Sequence, residues 1–393
     1  MLSRPSMPAV ASPVPSAPQW DIFCAVVDNF GDVGVCWRLA RQLAGEHGLR
    51  VRLWIDDLDA FRPLCPAADP AAPRQDLSGV EVRHWPRSFP ETVPGDVVVE
   101  AFGCRIPESF VAAMAEREAR PAWINLEYLS AEAWVAECHA QPSPHPRLPL
   151  KKYFFFPGFA ANTGGLLRER DLAARRLAFS GDPRAQDAFW QDLGFPPPAS
   201  DALRVSLFAY ETPAIGDLLR IWSEAESPVC CAVPVSRALP PVEAFCGQAL
   251  RAGETVRRGA LELRTLPFVE QARYDVLLWA CDLNFVRGED SFVRAQWAAR
   301  PLVWHIYVQE EAAHLVKLDA FLDRYCAALP DTVGKALRSF WHAWNAGHLD
   351  AEQWQALAAA LPALRAHAAA WEAQQAAQED LASALVRFCR SLV

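Results

Sequence analysis

The stretch that most constrains the fold is residues 283–304, LNFVRGEDSFVRAQWAARPLVW. An apolar run ends at a polar turn, a helical pattern follows, and Pro301 stops that pattern before a second apolar run begins. This order of strand, tight turn, helix and strand predicts a unit of a parallel α/β sheet. In such sheets ligands bind beyond the carboxyl ends of the strands, where helix N-termini present unpaired N–H groups.

Four polar residues occupy this turn: Arg287, Glu289, Asp290 and Ser291. The amides near Asp290 and Ser291 suit a phosphate, and so does the guanidinium of Arg287. Glu289 and Asp290 would repel a diphosphate, so we expect them to point towards hydroxyls or a cation. The mixture favours a nucleotide-sugar site, although Glu, Asp and Ser are also the usual residues of a first helical turn.

The same alternation of strands and helices occurs twice along the chain. The first series starts at residues 21–27 (DIFCAVV), and the second starts at residues 203–210 (LRVSLFAY). We therefore predict an α/β protein of two facing Rossmann-like domains with a cleft between them. The proline-rich residues 141–149 (QPSPHPRLP) are interpreted as a linker.

The predicted organisation has four parts. Residues 1–20, rich in Pro, Ala and Ser, are expected to form a disordered tail. Residues 21–155 are expected to form the N-terminal domain, and residues 156–375 the C-terminal domain. A final helix at about residues 376–393 is expected to pack back on the N-terminal domain.

Composition argues against several classes of protein. The net charge is −9 without a basic block, so we expect no nucleic-acid partner. No stretch approaches the ~20 uninterrupted apolar residues of a spanning helix, so we expect no membrane association. The eleven cysteines form no C-x-x-C pair and several lie in apolar runs, which predicts buried thiols in the cytoplasm rather than disulfides or a zinc site.

Acidic residues follow the first two strands of the N-terminal domain. Asp28 and Asp32 lie four residues apart in the turn DNFGDVG, where they would face the cleft; turn and helix-cap roles are the alternative. The glycine spacing of this turn is not G-x-G-x-x-G, so a nicotinamide cofactor is not expected. The acidic pattern at residues 56–59 (DDLD) can hold a metal ion, but a helix N-cap explains it better, and we expect no metal site.

Three residues of the second domain are candidates for nucleotide binding. Phe268 and Gln271 flank a turn before a predicted helix at residues 271–280, where a ring can stack on a base and an amide can contact its edge. Tyr210 lies at the end of a strand, from which its hydroxyl can reach a phosphate. Packing in the core is the alternative for the aromatic residues.

Three segments together resemble a known family: DNFGDVGVCWR, PFVEQARYD and RGEDSFVRAQWAARPLVWHIYVQ. They are similar to the bacterial protein-arginine rhamnosyltransferases that modify elongation factor P, and the resemblance extends over most of the chain from Asp21. It implies a GT-B glycosyltransferase fold. It also implies inverting transfer of L-rhamnose from dTDP-β-L-rhamnose to an arginine side chain of elongation factor P, with no cofactor or metal.

The resemblance implies a role for each candidate residue. The C-terminal domain would bind the donor, with thymine stacked on Phe268 and the ribose and diphosphate held near the turn after residue 286. The implied donor-binding residues are Tyr210, Phe268, Gln271, Arg287, Asp290 and Ser291. In the N-terminal, acceptor-binding domain Asp28 and Asp32 would face the guanidinium, with Asp32 as the base, and Glu289 would be needed for catalysis.

Two other functions fit a two-domain α/β protein with a cleft. One is a GT-B glycosyltransferase that uses another nucleotide sugar and a carbohydrate acceptor, for which a basic, membrane-facing surface would be expected. The other is a non-catalytic nucleotide-sugar binder. A binder has no need of a carboxylate pair facing a phosphate site, so the acidic turn residues favour an enzyme.

Overall fold

The computed structural model describes residues 17–27 and 30–392. Its first part contains β1 (Gln19–Cys24), α1 (Gly31–His47), β2 (Arg50–Ile55), α2 (Leu58–Phe61), β3 (Arg74–Leu77), β4 (Val80–His84), β5 (Val97–Ala101), α3 (Glu108–Glu116), β6 (Ala122–Leu126), α4 (Val135–Cys138), β7 (Pro142–Pro144) and β8 (Lys151–Phe155). These strands form an eight-stranded sheet of order β3-β4-β2-β1-β5-β6-β8-β7. Only the edge strands β3 and β7 are antiparallel to their neighbours.

The second part contains α5 (Leu172–Gly181), α6 (Pro183–Asp192), β9 (Leu203–Leu207), α7 (Ala214–Ser223), β10 (Val229–Pro234), α8 (Leu239–Cys246), β11 (Thr255–Arg258), β12 (Leu261–Leu266), α9 (Gln271–Ala280), β13 (Leu283–Arg287), α10 (Asp290–Trp297), β14 (Leu302–His305), α11 (Ala313–Cys326), α12 (Asp331–Ala346), α13 (Ala351–Ala376) and α14 (Leu381–Arg390). Its six-stranded sheet has the order β11-β12-β10-β9-β13-β14. In each sheet the strand order reverses beside the first strand, at β1–β5 and at β9–β13. Such a reversal opens a crevice for ligands at the carboxyl ends of the strands.

Parallel strands buried on both faces explain the apolar runs of the sequence. Ile22 of β1 is in register with Leu53 of β2 and Val99 of β5. All three side chains are 0% exposed. A parallel sheet covered by helices on both faces requires nearly continuous apolar strands, and this is the pattern from which the strands were predicted.

The proline-rich segment is part of the first sheet and not a linker. Pro142–Pro144 form β7, which pairs with β8 through Pro142↔Tyr153 and Pro144↔Lys151. Proline is tolerated because β7 is an edge strand, where one side of the strand has no partner to bond. The prediction of a linker at residues 141–149 is therefore wrong. The chain instead passes to the second sheet after β8, through residues 156–171.

The start of the chain differs slightly from the predicted boundaries. β1 begins at Gln19, two residues inside the segment that was predicted to be a tail. Residues 1–16 of that predicted tail lie outside the described residues, as does Asp28.

The last two helices belong to different halves of the molecule. α13 begins with a capping box: the Asp350 side chain accepts the N–H of Gln353 at 2.8 Å, and the Gln353 side chain accepts the N–H of Asp350 at 3.1 Å. After α13 the chain returns to the first sheet. Leu381 and Leu385 of α14 are at most 1% exposed and lie in the core around β1 and α1.

Most of the cysteines lie inside the fold, whereas Cys65 is half-buried and Cys138 is exposed. Cys24, Cys104, Cys230, Cys231 and Cys281 are buried and unpaired, so the predicted burial of these thiols is confirmed. Burial raises the pKa of Cys230 to about 11, which keeps this thiol protonated at neutral pH. In the part of the chain that the structure describes, no helix has both the length and the apolar character needed to cross a membrane.

Candidate active site

The turn between β13 and α10 is fixed by bonds among its own residues and by a bond from Trp304 of β14. Gly288 has a φ of 60°, a left-handed conformation that favours glycine. Its carbonyl accepts a hydrogen bond from Trp304 Nε1 at 2.9 Å. Ser291 Oγ accepts the N–H of Arg287 at 3.0 Å and donates to the carbonyl of Arg287. The turn therefore holds Arg287 and the N-terminus of α10 together at the carboxyl end of β13.

A cavity lies beside this turn, between the two sheets. Phe268 of the second part and Phe30 of the first part line it, with ring centroids 4.9 Å apart. The cavity brings together five of the six predicted donor residues: Phe268, Gln271, Arg287, Asp290 and Ser291.

Tyr210, the sixth predicted donor residue, contacts Arg287. The guanidinium carbon of Arg287 lies 4.6 Å from the Tyr210 ring centroid and 4.7 Å from that of Phe208. The Tyr210 ring also packs edge-on against His305, with centroids 5.3 Å apart. Burial, helped by the Arg287 charge, lowers the pKa of His305 to about 4, so this histidine is neutral. Two aromatic faces thus hold the cation beside the cavity.

Gln271 and Asp290 bond across the cleft. Gln271 Nε2 donates to the carbonyl of Gly34 at 2.9 Å, and its Oε1 accepts from Arg41 at 3.2 Å. Asp290 Oδ1 accepts from Arg38 Nε at 2.8 Å. A Cβ at Gly34 would lie 3.1 Å from Gln271 Nε2, so this close approach favours glycine. Residues predicted to contact a donor therefore also join the two halves, and their contact with a donor stays a prediction.

A buried ion network extends this contact between the halves. Arg38 and Arg294 both pair with Asp275, at 3.1 and 2.8 Å. Both also pair with Glu169 of the crossing segment, at 3.5 and 2.7 Å. Burial opposes the charge of Glu169, but Arg294 and Arg38 hold the pKa of this carboxyl well below its usual value. The network ties α1 to α9, to α10 and to the segment between the sheets.

A second cavity adjoins the first at Gly31 and Gly288. Its lining includes Asp32 of α1 and Glu289 of the β13–α10 turn. Two of the three predicted catalytic carboxylates, one from each half of the chain, therefore share one cavity. The third, Asp28, is outside the described residues.

Asp32 is held at both of its oxygens. Its side chain is 3% exposed, at the second position of α1. Oδ2 accepts the N–H of Val27 at 2.9 Å, and Oδ1 accepts the hydroxyl of Tyr128 at 3.1 Å. Hydrogen bonds to the charged form and the N-terminal end of a helix both favour an ionised carboxylate. Asp32 thus presents an oriented negative charge to the second cavity.

Glu289 has a different charge state. Its Oε2 accepts the N–H of Leu129 at 2.9 Å. Burial raises the pKa of Glu289 to about 8 against the effect of that N–H, and the negative charge of Asp32 raises it further. Glu289 therefore carries a proton at neutral pH, although the positive charge of Lys317 in the cavity lining opposes this. A cation between the two carboxylates would favour the ionised form.

The acidic residues after β2 are not part of this cavity. Asp57 is the N-cap of α2, and its side chain accepts the N–H of Ala60 at 3.0 Å, which confirms the helix-cap interpretation. Among residues 17–27 and 30–392, no group of three or more His, Cys, Asp or Glu side chains is placed to hold a metal ion.

Three residues of the site were missed in the sequence analysis: Arg38, Tyr128 and Leu129. Tyr128 and Leu129 follow β6, so the rule that located Asp32, polar residues beyond a buried strand, also applies to Tyr128. Arg38 ends the segment DNFGDVGVCWR, but no local pattern pairs it with a carboxylate 252 positions away.

Comparison with known proteins agrees with this geometry. A family profile described as "Elongation-Factor P (EF-P) rhamnosyltransferase EarP" matches residues 20–390. The chain belongs to the EarP family. Two relatives that carry the name protein-arginine rhamnosyltransferase show how close it is to other members. The relative from Pseudomonas putida is 52% identical over 95% of this chain and 98% of its own. The relative from Shewanella oneidensis is 40% identical over 95% and 98%.

A solved structure extends the EarP comparison to the fold. It concerns "EarP-mediated arginine glycosylation of translation elongation factor EF-P", and its chain is 39% identical to this one with a TM-score of 0.69. The match covers 96% of this chain and 100% of the other. The predicted family and the predicted GT-B fold of two facing Rossmann-like domains are confirmed. The expectation of a glycosyltransferase, rather than a non-catalytic binder, is confirmed as well.

Proposed function

We propose that the protein transfers L-rhamnose from dTDP-β-L-rhamnose to an arginine side chain of elongation factor P, with inversion at the anomeric carbon. The observation that carries the proposal is the pair of adjoining cavities. One contains Phe268 and Arg287, and the other contains Asp32 and Glu289. Membership of the EarP family supports the acceptor and the sugar. We place the reaction in the cytoplasm, in line with the buried thiols.

The first cavity is the proposed donor site. The Phe268 ring would stack on thymine, and the guanidinium of Arg287 would bind the diphosphate together with the amides at the start of α10. Tyr210 and Ser291 contribute through Arg287, because one packs on its guanidinium and the other fixes its backbone.

Gln271 and Asp290 are proposed to contact the donor from the cleft side of this cavity. Both line it and both bond to α1, so they place the N-terminal domain against the bound nucleotide sugar. Charge gathers on dTDP as it leaves, and Arg287 with the helix N-terminus stabilises that charge. The proposed reaction therefore needs no metal ion.

The second cavity is the proposed acceptor site. A guanidinium has a pKa above ~12, so removing its proton beforehand at neutral pH costs about 7 kcal/mol or more. A carboxylate instead orients the group and accepts the proton while the new bond forms. We assign that role to Asp32. Glu289 and Asp28 would hold the cation and aim the attacking nitrogen.

The proposed step is a single displacement. The guanidino nitrogen forms a bond to C1 of rhamnose while the bond from C1 to the phosphate oxygen breaks. The electron pair of the broken bond leaves with dTDP, and the nitrogen passes its proton to Asp32. Attack on the face opposite the leaving group converts a β-linked donor into an α-rhamnosyl arginine.

Intact-mass spectrometry of elongation factor P tests this proposal. We expect a gain of one deoxyhexose on one arginine after incubation with the enzyme and dTDP-rhamnose, with or without EDTA. Asp32→Asn should lose about 10²–10⁴-fold in kcat, the contribution of a positioned general base. Its affinity for dTDP should stay within a few-fold.

Each contrary outcome has a distinct meaning. No mass gain with intact dTDP binding would show that the acceptor or the sugar is another one. Loss of transfer in EDTA would contradict the metal-independent step. A full loss of dTDP affinity in Asp32→Asn would place Asp32 on the donor instead of the acceptor.

A further inference from the structure

The loop after β6 contacts both carboxylates of the second cavity through consecutive residues. Tyr128 donates its hydroxyl to Asp32 Oδ1 at 3.1 Å. Leu129 donates its N–H to Glu289 Oε2 at 2.9 Å. Asp32 belongs to the N-terminal domain and Glu289 to the C-terminal domain, so this loop contacts one acidic side chain from each domain.

The loop itself spans the cleft. The Leu129 and Ala131 side chains are buried in the hydrophobic core of the C-terminal domain. Arg324 of α11 donates to the carbonyl of Ala131 at 2.7 Å. Tyr128, in contrast, faces the N-terminal domain. The chain therefore changes domain between Tyr128 and Leu129, next to both carboxylates.

The Tyr128 ring is held in place by the ring of Phe102. It stacks on Phe102 with ring centroids 4.5 Å apart and planes 17° apart. Phe102 has a φ of 57°, which is unusual for a residue with a bulky side chain. Its N–H donates to the carbonyl of Leu126 at 2.7 Å, so the strained position is tied to the end of β6. Strain of this kind persists only where the surrounding structure over-determines it, and it clusters at functional sites.

We infer that Tyr128 is a positioning residue for the transfer reaction: its hydroxyl, braced by Phe102, sets the orientation of the Asp32 carboxylate that receives the proton. This inference rests on the proposed function. Val27 N–H fixes one oxygen of Asp32 and Tyr128 fixes the other, so the plane of the carboxylate is set before the acceptor arrives. Because the Asp32 carboxylate is already oriented, less conformational freedom has to be lost when the reaction occurs.

The hydrogen bond from Tyr128 also affects the pKa of Asp32, and the direction of that effect can be stated. The groups near Asp32 include the Tyr128 hydroxyl, the Glu289 carboxyl, the Val27 N–H and the thiols of Cys24 and Cys36. Of these, Tyr128 and Val27 donate to the carboxylate and favour its ionised form. Removing the phenol hydroxyl therefore raises the pKa of Asp32, and the acidic limb of the rate profile moves to higher pH.

Tyr128→Phe tests the inference because it keeps the ring on Phe102 and removes only the donor. We expect kcat to fall about 10–100-fold, the range for a hydrogen bond to a charged group. The acidic limb of kcat against pH should move upward, while KM for the donor and the dissociation constant of dTDP stay within twofold. The matched control is Tyr153→Phe, a half-buried tyrosine of β8 in the same domain, which should change neither quantity.

The double variant Asp32→Asn, Tyr128→Phe separates positioning from other roles. It should be no slower than Asp32→Asn alone, because Tyr128 acts through Asp32. Unchanged kcat and pH profile in Tyr128→Phe would overturn the inference. A rise in KM for elongation factor P alone would overturn it too, because Tyr128 would then be an acceptor contact. Full activity of Asp32→Asn would remove Asp32 as the base and overturn the inference with it, whereas only a lack of transfer by the wild type would overturn the proposed function.

Discussion

Glu289 changes its charge with the contents of the second cavity. Its pKa of about 8 keeps it protonated at pH 7 in the free enzyme. A guanidinium placed beside it favours the ionised form and lowers that pKa. We therefore expect acceptor binding to release a proton at pH 7 and the affinity for elongation factor P to increase from pH 6 towards pH 8. Calorimetry in buffers of different ionisation enthalpy measures the proton released.

Glu289→Gln is the control for this proton release. The variant has no proton to lose at this position, so its binding enthalpy should depend less on the buffer than that of the wild type. An equal release from both proteins would assign the proton to another group. A higher affinity at pH 6 than at pH 8 would contradict the sign of the linkage.

Phe268 is expected to carry part of the nucleotide affinity. Base–aromatic stacking contributes about 1–3 kcal/mol, so Phe268→Ala should weaken dTDP binding by about 5–150-fold in calorimetry. Phe245→Ala, at a half-buried phenylalanine of α8, is the matched control and should leave the affinity unchanged. Equal affinities for the wild type and Phe268→Ala would reduce this ring to a packing contact with Phe30.

Local sequence patterns predicted the positions of single site residues better than the bonds between those residues. Asp32 and Glu289 were predicted for the same cleft because each follows a buried parallel strand, and strand ends face ligands. The structure places both in one cavity. The bond from Arg38 to Asp290 joins residues 252 positions apart, and no periodicity links them. Contacts of this kind depend on how the domains meet, which no short segment encodes.

At the scale of secondary-structure elements, the prediction of a buried helix was confirmed and an edge strand was missed. The helix predicted at residues 271–280 is α9 with the same bounds, because a turn precedes it and an apolar strand follows it closely. β7 was missed because four prolines within residues 141–149 argue against a central strand, although an edge strand accepts them. Composition therefore predicts central strands well and edge strands poorly.

The helix α14 is expected to stabilise the N-terminal domain. Leu385 is 0% exposed in the core around β1 and α1. Leu385→Ala should cost about 2–5 kcal/mol, the range for removing a buried leucine side chain. Chemical denaturation followed by tryptophan fluorescence measures the loss. Leu177→Ala of α5, where the leucine is 62% exposed, should change stability by less than about 0.5 kcal/mol.

At the scale of the whole molecule, the network around Arg38 holds the two domains together. Arg38 is 2% exposed and contacts Asp275, Asp290 and Glu169. Arg38→Ala removes a positive charge that compensates these carboxylates. Where the carboxylates stay buried, this loss costs about 3–5 kcal/mol of folding free energy. Opening of the cleft hydrates them and avoids that cost. We therefore expect a larger radius of gyration in small-angle scattering and weaker donor binding.

A second ion pair provides the control for Arg38→Ala. Arg176 of α5 and Glu372 of α13 pair at 3.0 Å within the C-terminal half. Arg176→Ala should leave the scattering profile and dTDP affinity unchanged. An unchanged radius of gyration in Arg38→Ala, with normal folding, would show that the other contacts across the cleft suffice to keep it closed.

The return of α14 to the first sheet also affects the order in which the two domains fold during synthesis. The ribosome synthesises β1 to β8 first, yet Leu381 and Leu385, which complete their core, emerge only after the whole C-terminal domain. The C-terminal domain has all of its strands before that point, so it can finish folding while the N-terminal domain still exposes apolar surface. A product terminated before residue 380 would contain a complete donor half beside an unfinished acceptor half, and cellular quality control would recognise the exposed core.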